Sequence, residues 1–204
     1  FSKRPASELQ GRRVLVSRSS MTSVALLELL FTNVWDARPA FIPSDAELAD
    51  VGRFGDEEHD ARLVIGDAAL HLWSRLRSPE LYPEAGQLTQ YRYAYDLGAE
   101  WKQWTDLPFV FAVWVAQRTT PAPAALAVHS GLLASRDWGL QHLDTLAAQA
   151  AIATGVHKAV CLEYLSGLDY GLSYQHLAGL TEFFRRLVAA GKVPNGSLAF
   201  LPAA

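Results

Sequence analysis

Apolar positions recur at two spacings along this chain, and they change character near its middle. Arg13 to Val16 is a short apolar run, and Thr22 to Phe31 follows with Val24, Leu27, Leu30 and Phe31 at helical spacing, which predicts a strand, a turn and a helix. Arg38 to Ile42 reads as a second strand, with a turn and helix start at Pro43-Ser44-Asp45. Ala61 to Ile65 reads as a third strand that ends at Gly66-Asp67, ahead of a helix over Ala68 to Leu76. Strands alternating with helices predict a mainly parallel sheet covered on both faces. Gln90 to Tyr95 has strand character, Gly98 to Thr105 is a short amphipathic helix, and Pro108 to Ala116 is the longest apolar run, predicting a buried strand over Phe109 to Ala116. Beyond Pro123 the pattern is helical: Ala124 to Leu133, Leu140 to Ala153, Lys158 to Leu165 and Tyr174 to Ala190. The last carries an apolar stripe of Leu177, Leu180, Phe184, Leu187 and Val188, a cap at Ser173 and a stop at Gly191 and Pro194.

The shift near Pro108 divides the chain into a strand-rich α/β lobe, 10–107, and a segment of one strand plus helices, 108–204. A helical segment with a single strand cannot build its own sheet. Phe109 to Ala116 is therefore expected to join strands supplied by a segment upstream of Phe1, in a two-lobe clamp whose chain crosses the hinge twice.

With 204 residues, 50% of them apolar, the chain can bury a sizeable core. A net charge of -3 and scattered Lys and Arg give no electrostatic reason to expect nucleic acid or an anionic membrane as partner. No apolar run has the length of a membrane span. One cysteine, Cys161, permits no internal disulfide and suits a reducing cytoplasm. The 6 histidines lack the close spacings of metal ligands on one helix face, so no metal is expected.

Candidate chemistry concentrates at Ser17-Arg18-Ser19-Ser20-Met21-Thr22-Ser23. Where a strand ends and a helix begins, several backbone N–H groups lack intrahelical partners and attract an anion. With no glycine-rich phosphate loop, a carboxylate is favoured over a nucleotide phosphate. Ser19 or Ser20 could merely cap the helix, but four serines and a threonine in seven residues exceed what one cap needs. Gly66 and Asp67 close an apolar strand, where ligands gather in open parallel sheets; they could equally make a turn and a cap. Asp96-Leu97-Gly98 has the same ambiguity. The acidic run around His59, residues 55–60, reads as a solvated loop. Trp101, Trp104 and Trp114 read as core, Cys161 as an inert buried thiol, and no Ser-His-Asp pattern or nucleophile elbow is visible.

Taken together, Leu63-Val64-Ile65-Gly66-Asp67-Ala68-Ala69-Leu70, Tyr95-Asp96-Leu97-Gly98-Ala99-Glu100-Trp101 and Leu107-Pro108-Phe109-Val110-Phe111-Ala112-Val113-Trp114 resemble, in order and spacing, the signature segments of the menaquinone-pathway chorismate dehydratases. Phe1-Ser2-Lys3-Arg4-Pro5 and Gly11-Arg12-Arg13-Val14 are similar to that family's approach to its Ser-Ser-x-Thr-Ser turn, here Ser19 to Ser23. Leu172-Ser173-Tyr174 through Phe183 is similar to its final helix. The resemblance implies a two-lobe, periplasmic-binding-protein type II-like α/β fold with the ligand cleft between lobes. It also implies conversion of chorismate to 3-[(1-carboxyvinyl)oxy]benzoate and water on the futalosine route, without a cofactor. Under it, Ser19, Ser20, Thr22 and Ser23 hold a substrate carboxylate, and Gly66 and Asp67 line the cleft. No proton-abstracting residue stands out, and the substrate's own enolpyruvyl carboxylate is the candidate base. Asp106, at the expected hinge, stands where the family usually has glycine. A dihydroxynaphthoate synthase of the same pathway, or a solute-binding protein for a small acid, are the competing readings.

Overall fold

The computed structural model describes residues 1–44, 58–82, 91–196 and 200. The chain forms two compact units, Phe1–Phe109 and Val110–Ala204.

In the first unit, β1 (Arg13–Ser17) lies between β2 (Ala40–Ser44) and β3 (Ala61–Arg62), all three parallel. α1 (Met21–Asn33) connects β1 to β2, and α2 (Gly66–Arg77) follows β3. Side-chain alternation sends Val14 and Val16 toward Leu27, Phe31 and Leu63 on one face. Leu15, which points to the other face, is 1% exposed, and Val64 and Leu72 pack with Ala68, Ala69 and Leu76 in a second cluster. This two-sided burial is why β1 reads as an uninterrupted apolar run. α3 (Leu97–Thr105) packs beside α1, where Trp101 is fully buried and Trp35 meets Phe31 at 4.8 Å and Tyr95 at 5.2 Å.

Several expected boundaries move. β2 begins at Ala40 rather than Arg38 and runs through Pro43, which the outer strand of the three tolerates because its N–H side needs no ladder partner. The expected helix start after Pro43-Ser44 falls at Asp45, outside the described residues. β3 is two residues long; Leu63 adds one further bond, its N–H to the Leu15 carbonyl at 2.8 Å, before the chain turns toward α2. The expected strand over Gln90 to Tyr95, whose first residue is not described, is reduced to one antiparallel bridge between Tyr93 and Ser2. Ser2 also bridges Ala61, so the N-terminal residues and Tyr93 extend the sheet beyond β3.

Asp96 resolves as a helix cap, its carboxylate accepting from the N–H groups of Gly98 at 2.8 Å and Ala99 at 3.2 Å. Asp106 ends α3 in the left-handed region at φ 59°, a conformation that glycine adopts without steric cost. Lys102 holds it there, pairing with its carboxylate at 2.9 Å and with its carbonyl oxygen. Because this ion pair is exposed, its loss offsets only part of the relief of left-handed strain. Asp106→Gly is expected to raise stability by about 0.5–1 kcal/mol, measured as a higher urea midpoint at unchanged m-value.

The second unit contains α4 (Ala122–Gln141), α5 (Leu143–Thr154), α6 (Lys158–Gly167) and α7 (Tyr174–Ala189). α4 absorbs Leu140, which the sequence pattern assigned to the next helix, and α5 packs chiefly on α6. Cys161 is buried, its thiol facing the Val156 carbonyl at 3.7 Å, as expected of an inert thiol. α7 is capped by Ser173, but Phe183 and Leu187 are its buried anchors and Phe184 is 44% exposed. The expected strand over Phe109 to Ala116 is not formed. Among the described residues no sheet partner lies beside it, and Phe111, Trp114 and Val115 are exposed, Trp114 to 83%. Apolar content alone selects a strand only where a neighbour accepts its hydrogen bonds. Trp114 is thus surface in this chain, where the sequence placed it in a core.

Candidate functional site

Parallel pairing puts the carboxyl ends of β1, β2 and β3 at one edge of the sheet, so the turn after β1 and the connection from β3 to α2 leave side by side. In the first, Ser17 is buried and organises the turn. Its Oγ accepts from the backbone N–H of Ser19 at 3.0 Å and of Ser20 at 3.1 Å, and lies 3.2 Å from the Ser19 hydroxyl. Ser20 caps α1: its Oγ accepts from the Ser23 N–H at 3.3 Å while its hydroxyl donates to Ser23 Oγ at 2.8 Å. Arg18 ties the turn to β2 by donating to the Pro43 carbonyl at 3.1 Å.

The donors divide accordingly. The N–H groups of Ser19, Ser20 and Ser23 are engaged within the turn. Those of Met21 and Thr22, the first two residues of α1, have no acceptor among the described residues, and both residues are exposed. With its oxygen accepting from Ser20, the Ser23 hydroxyl keeps its own proton to donate, and the exposed Thr22 hydroxyl stands beside it. The arrangement offers backbone and hydroxyl donors at the positive end of a helix, suited to one carboxylate.

Gly66 has φ 64° and open space where a Cβ would stand, so the backbone there is accessible. Asp67 lies in the first turn of α2 and is exposed; Ile65, at the cap position, supplies no side-chain bond. Neither Gly66 nor Asp67 is hydrogen-bonded to the Ser/Thr turn among the described residues. The structure therefore joins Ser17, Ser19, Ser20 and Ser23 in one network and sets Gly66 and Asp67 at the same sheet edge.

His59 departs from its expected place. The acidic run in part, residues 55–57, lies outside the described residues, but His59 is buried and its Nε2 meets the Tyr91 hydroxyl at 2.6 Å. Burial pushes the Tyr91 phenol above its ordinary range, and the neighbouring Arg62, also buried, pulls it the other way. A charge-rich neighbourhood hid this pair from sequence reading; the alternation of His59 with Ala61 and Leu63 was its one trace. Tyr91→Phe removes the hydroxyl that meets the buried imidazole and is expected to cost about 1–3 kcal/mol, read from urea denaturation.

A Ser-His-Asp arrangement that the sequence did not reveal sits at the start of α7. Ser173 Oγ is 2.9 Å from His176 Nδ1, and His176 Nε2 is 3.3 Å from Asp169. It is a capping box: the Ser173 oxygen accepts from the His176 N–H, Nδ1 accepts from the Ser173 N–H, and Ser173 is exposed. No group of three or more metal-ligating side chains is present among the described residues, and no helix among them is long and apolar enough to cross a membrane.

Comparison with known proteins identifies the lineage. The family model for menaquinone biosynthesis matches residues 1–189. The chain belongs to this menaquinone biosynthesis family. A chorismate dehydratase from Thermus thermophilus is 35% identical over 179 residues, a match that covers 86% of this chain and 62% of the relative. The chain thus spans less than two thirds of that relative's length. All six site residues named from the sequence fall within the part that the family model matches.

Proposed function

We propose that this chain forms the greater part of a chorismate dehydratase, a cytoplasmic hydro-lyase that converts chorismate to 3-[(1-carboxyvinyl)oxy]benzoate and water. The observation that carries the reading is the 35% identity to a chorismate dehydratase, combined with a helix N-terminus whose Met21 and Thr22 N–H groups stand open at the carboxyl edge of the sheet. In this reading the chain has a periplasmic-binding-protein type II-like fold. Its strand-rich lobe, 10–107, presents the turn to a cleft, and 108–204 contributes to the opposite lobe.

The chemistry explains why such a seat is useful. Loss of a proton from the ring carbon that bears the enolpyruvyl ether is favoured because the ring carboxylate delocalises the charge. Departure of the neighbouring hydroxyl then makes the ring aromatic. A protein that holds the carboxylates and excludes water needs no bound group for this, and positioning alone supplies a large share of the acceleration. Ser19, Ser20, Thr22 and Ser23 contribute through the turn, Ser20 by fixing Ser23, while Gly66 and Asp67 line the neighbouring wall. The substrate's enolpyruvyl carboxylate serves as base. An analogue without it binds and is not dehydrated; turnover of that analogue would remove this step.

The test of function is incubation of full-length protein with chorismate and detection of the aromatic enolpyruvyl ether. Binding without product supports a solute-binding protein instead, and neither binding nor product eliminates chorismate. The histidine-based chemistry of the related dihydroxynaphthoate synthases draws no support from His59, which is buried against Tyr91.

A further inference from the structure

The first unit also contains a cavity of about 630 Å³, lined by Trp73, Leu76, Arg77, Tyr91, Arg92 and Tyr93 among others. Its volume is in the range of small-molecule sites. It is separate from the Ser/Thr turn. α2 starts with Gly66 at the carboxyl edge of the sheet and ends with Arg77, so at 1.5 Å per residue its last turn lies about 16 Å farther along the helix. Tyr93 is joined through Ser2 to Ala61, which pairs with Val14 near the beginning of β1. The cavity therefore lies toward the amino edge of the sheet.

Its lining has a definite chemistry. Arg77 and Arg92 are exposed, and among the described residues neither forms an ion pair and no carboxylate lines the cavity. The Arg77 guanidinium lies over the Trp73 ring, 5.4 Å from its centroid. Tyr91 forms a fixed wall: it is 3% exposed and its hydroxyl is held 2.6 Å from His59. Guanidinium forks match carboxylate geometry, and aromatic walls favour a planar ring. We propose that this cavity is a second ligand site, for an aromatic carboxylate whose acid group meets Arg77 and Arg92 and whose ring lies against Trp73 and Tyr93. The proposal does not depend on the dehydratase reading, because it concerns binding at a separate place.

Isophthalate, a benzene ring with two carboxylates, is the probe. Titration calorimetry is performed on full-length protein carrying Ser20→Ala and Thr22→Ala, which weaken the turn as a competitor for the probe. Saturable binding is expected, weakened at least tenfold when Arg77→Gln and Arg92→Gln are added, with the far-ultraviolet circular dichroism unchanged. Arg92→Glu alone, a charge reversal at an exposed position, produces a loss of similar size. No saturable binding before the arginines are changed, or equal affinity after, overturns the proposal. Chorismate turnover, assayed separately, reports on the turn and not on this cavity.

Discussion

Replacing Ser20 and Thr22 together by alanine is expected to lower kcat/KM for chorismate by on the order of a hundredfold, since hydrogen bonds to a charged group contribute about 1.5–3 kcal/mol each. The two residues act differently. Thr22 offers its hydroxyl from the first turn of α1, whereas Ser20 accepts from the Ser23 N–H and donates to the Ser23 hydroxyl, so its loss frees Ser23 to rotate. The lost cap costs about 1 kcal/mol of stability, and the core beneath, Leu26, Leu27 and Leu30, is unaffected. Steady-state kinetics with a parallel urea titration separates the two effects. A fall in kcat/KM matched by nothing more than a small stability change is the expected result, and unchanged kinetics contradicts the proposed seat.

Trp101→Ala is expected to be the most destabilising single change, at about 3–5 kcal/mol. The side chain is fully buried, and its ring meets Trp104 at 5.7 Å and Phe109 at 5.6 Å, both edge-on. Truncation leaves a cavity where α3 packs against α1, and the surrounding rings cannot close it without leaving their own contacts. Trp104→Ala, at a partly exposed position on the same helix, is the comparison and should cost clearly less. Equal losses would show that the site collapses around the missing ring. Because none of these ring contacts involves the Ser/Thr turn, loss of substrate affinity in Trp101→Ala should follow the fraction unfolded and not precede it.

Much of the first unit was legible because its elements declare themselves locally. Val14, Leu15 and Val16 form a short apolar run that reads as a strand and is buried throughout, and Val24, Leu27, Leu30 and Phe31 carry a helical period. A cap at Ser19 or Ser20 was legible, and the structure assigns it to Ser20; Gly66 was legible as a turn residue, and its backbone has a positive φ. Ser17 was harder to assign. Its importance comes from burial and from two N–H groups that fold back to it, and neither is visible in a run of serines. His59 and Tyr91 are 32 residues apart, and only the third dimension pairs them. Phe109 to Ala116 illustrates the opposite limit. Its composition is that of a strand, but a strand is a relation between segments, and no described residue completes it. Asp106 could be marked as unusual from the family resemblance alone; its left-handed backbone supplies the physical reason glycine suits that place.

The proposed seat requires a carboxylate that accepts from the open N–H groups at the start of α1. Titration of full-length, nitrogen-15-labelled protein with chorismate, followed by amide resonances, tests this most directly. Saturable downfield proton shifts are predicted at Met21 and Thr22, with smaller changes at Ser19 and Ser20, whose N–H groups already donate to Ser17. If Met21 and Thr22 remain unmoved while chorismate is bound and dehydrated, the carboxylate is held elsewhere and the proposed seat is wrong.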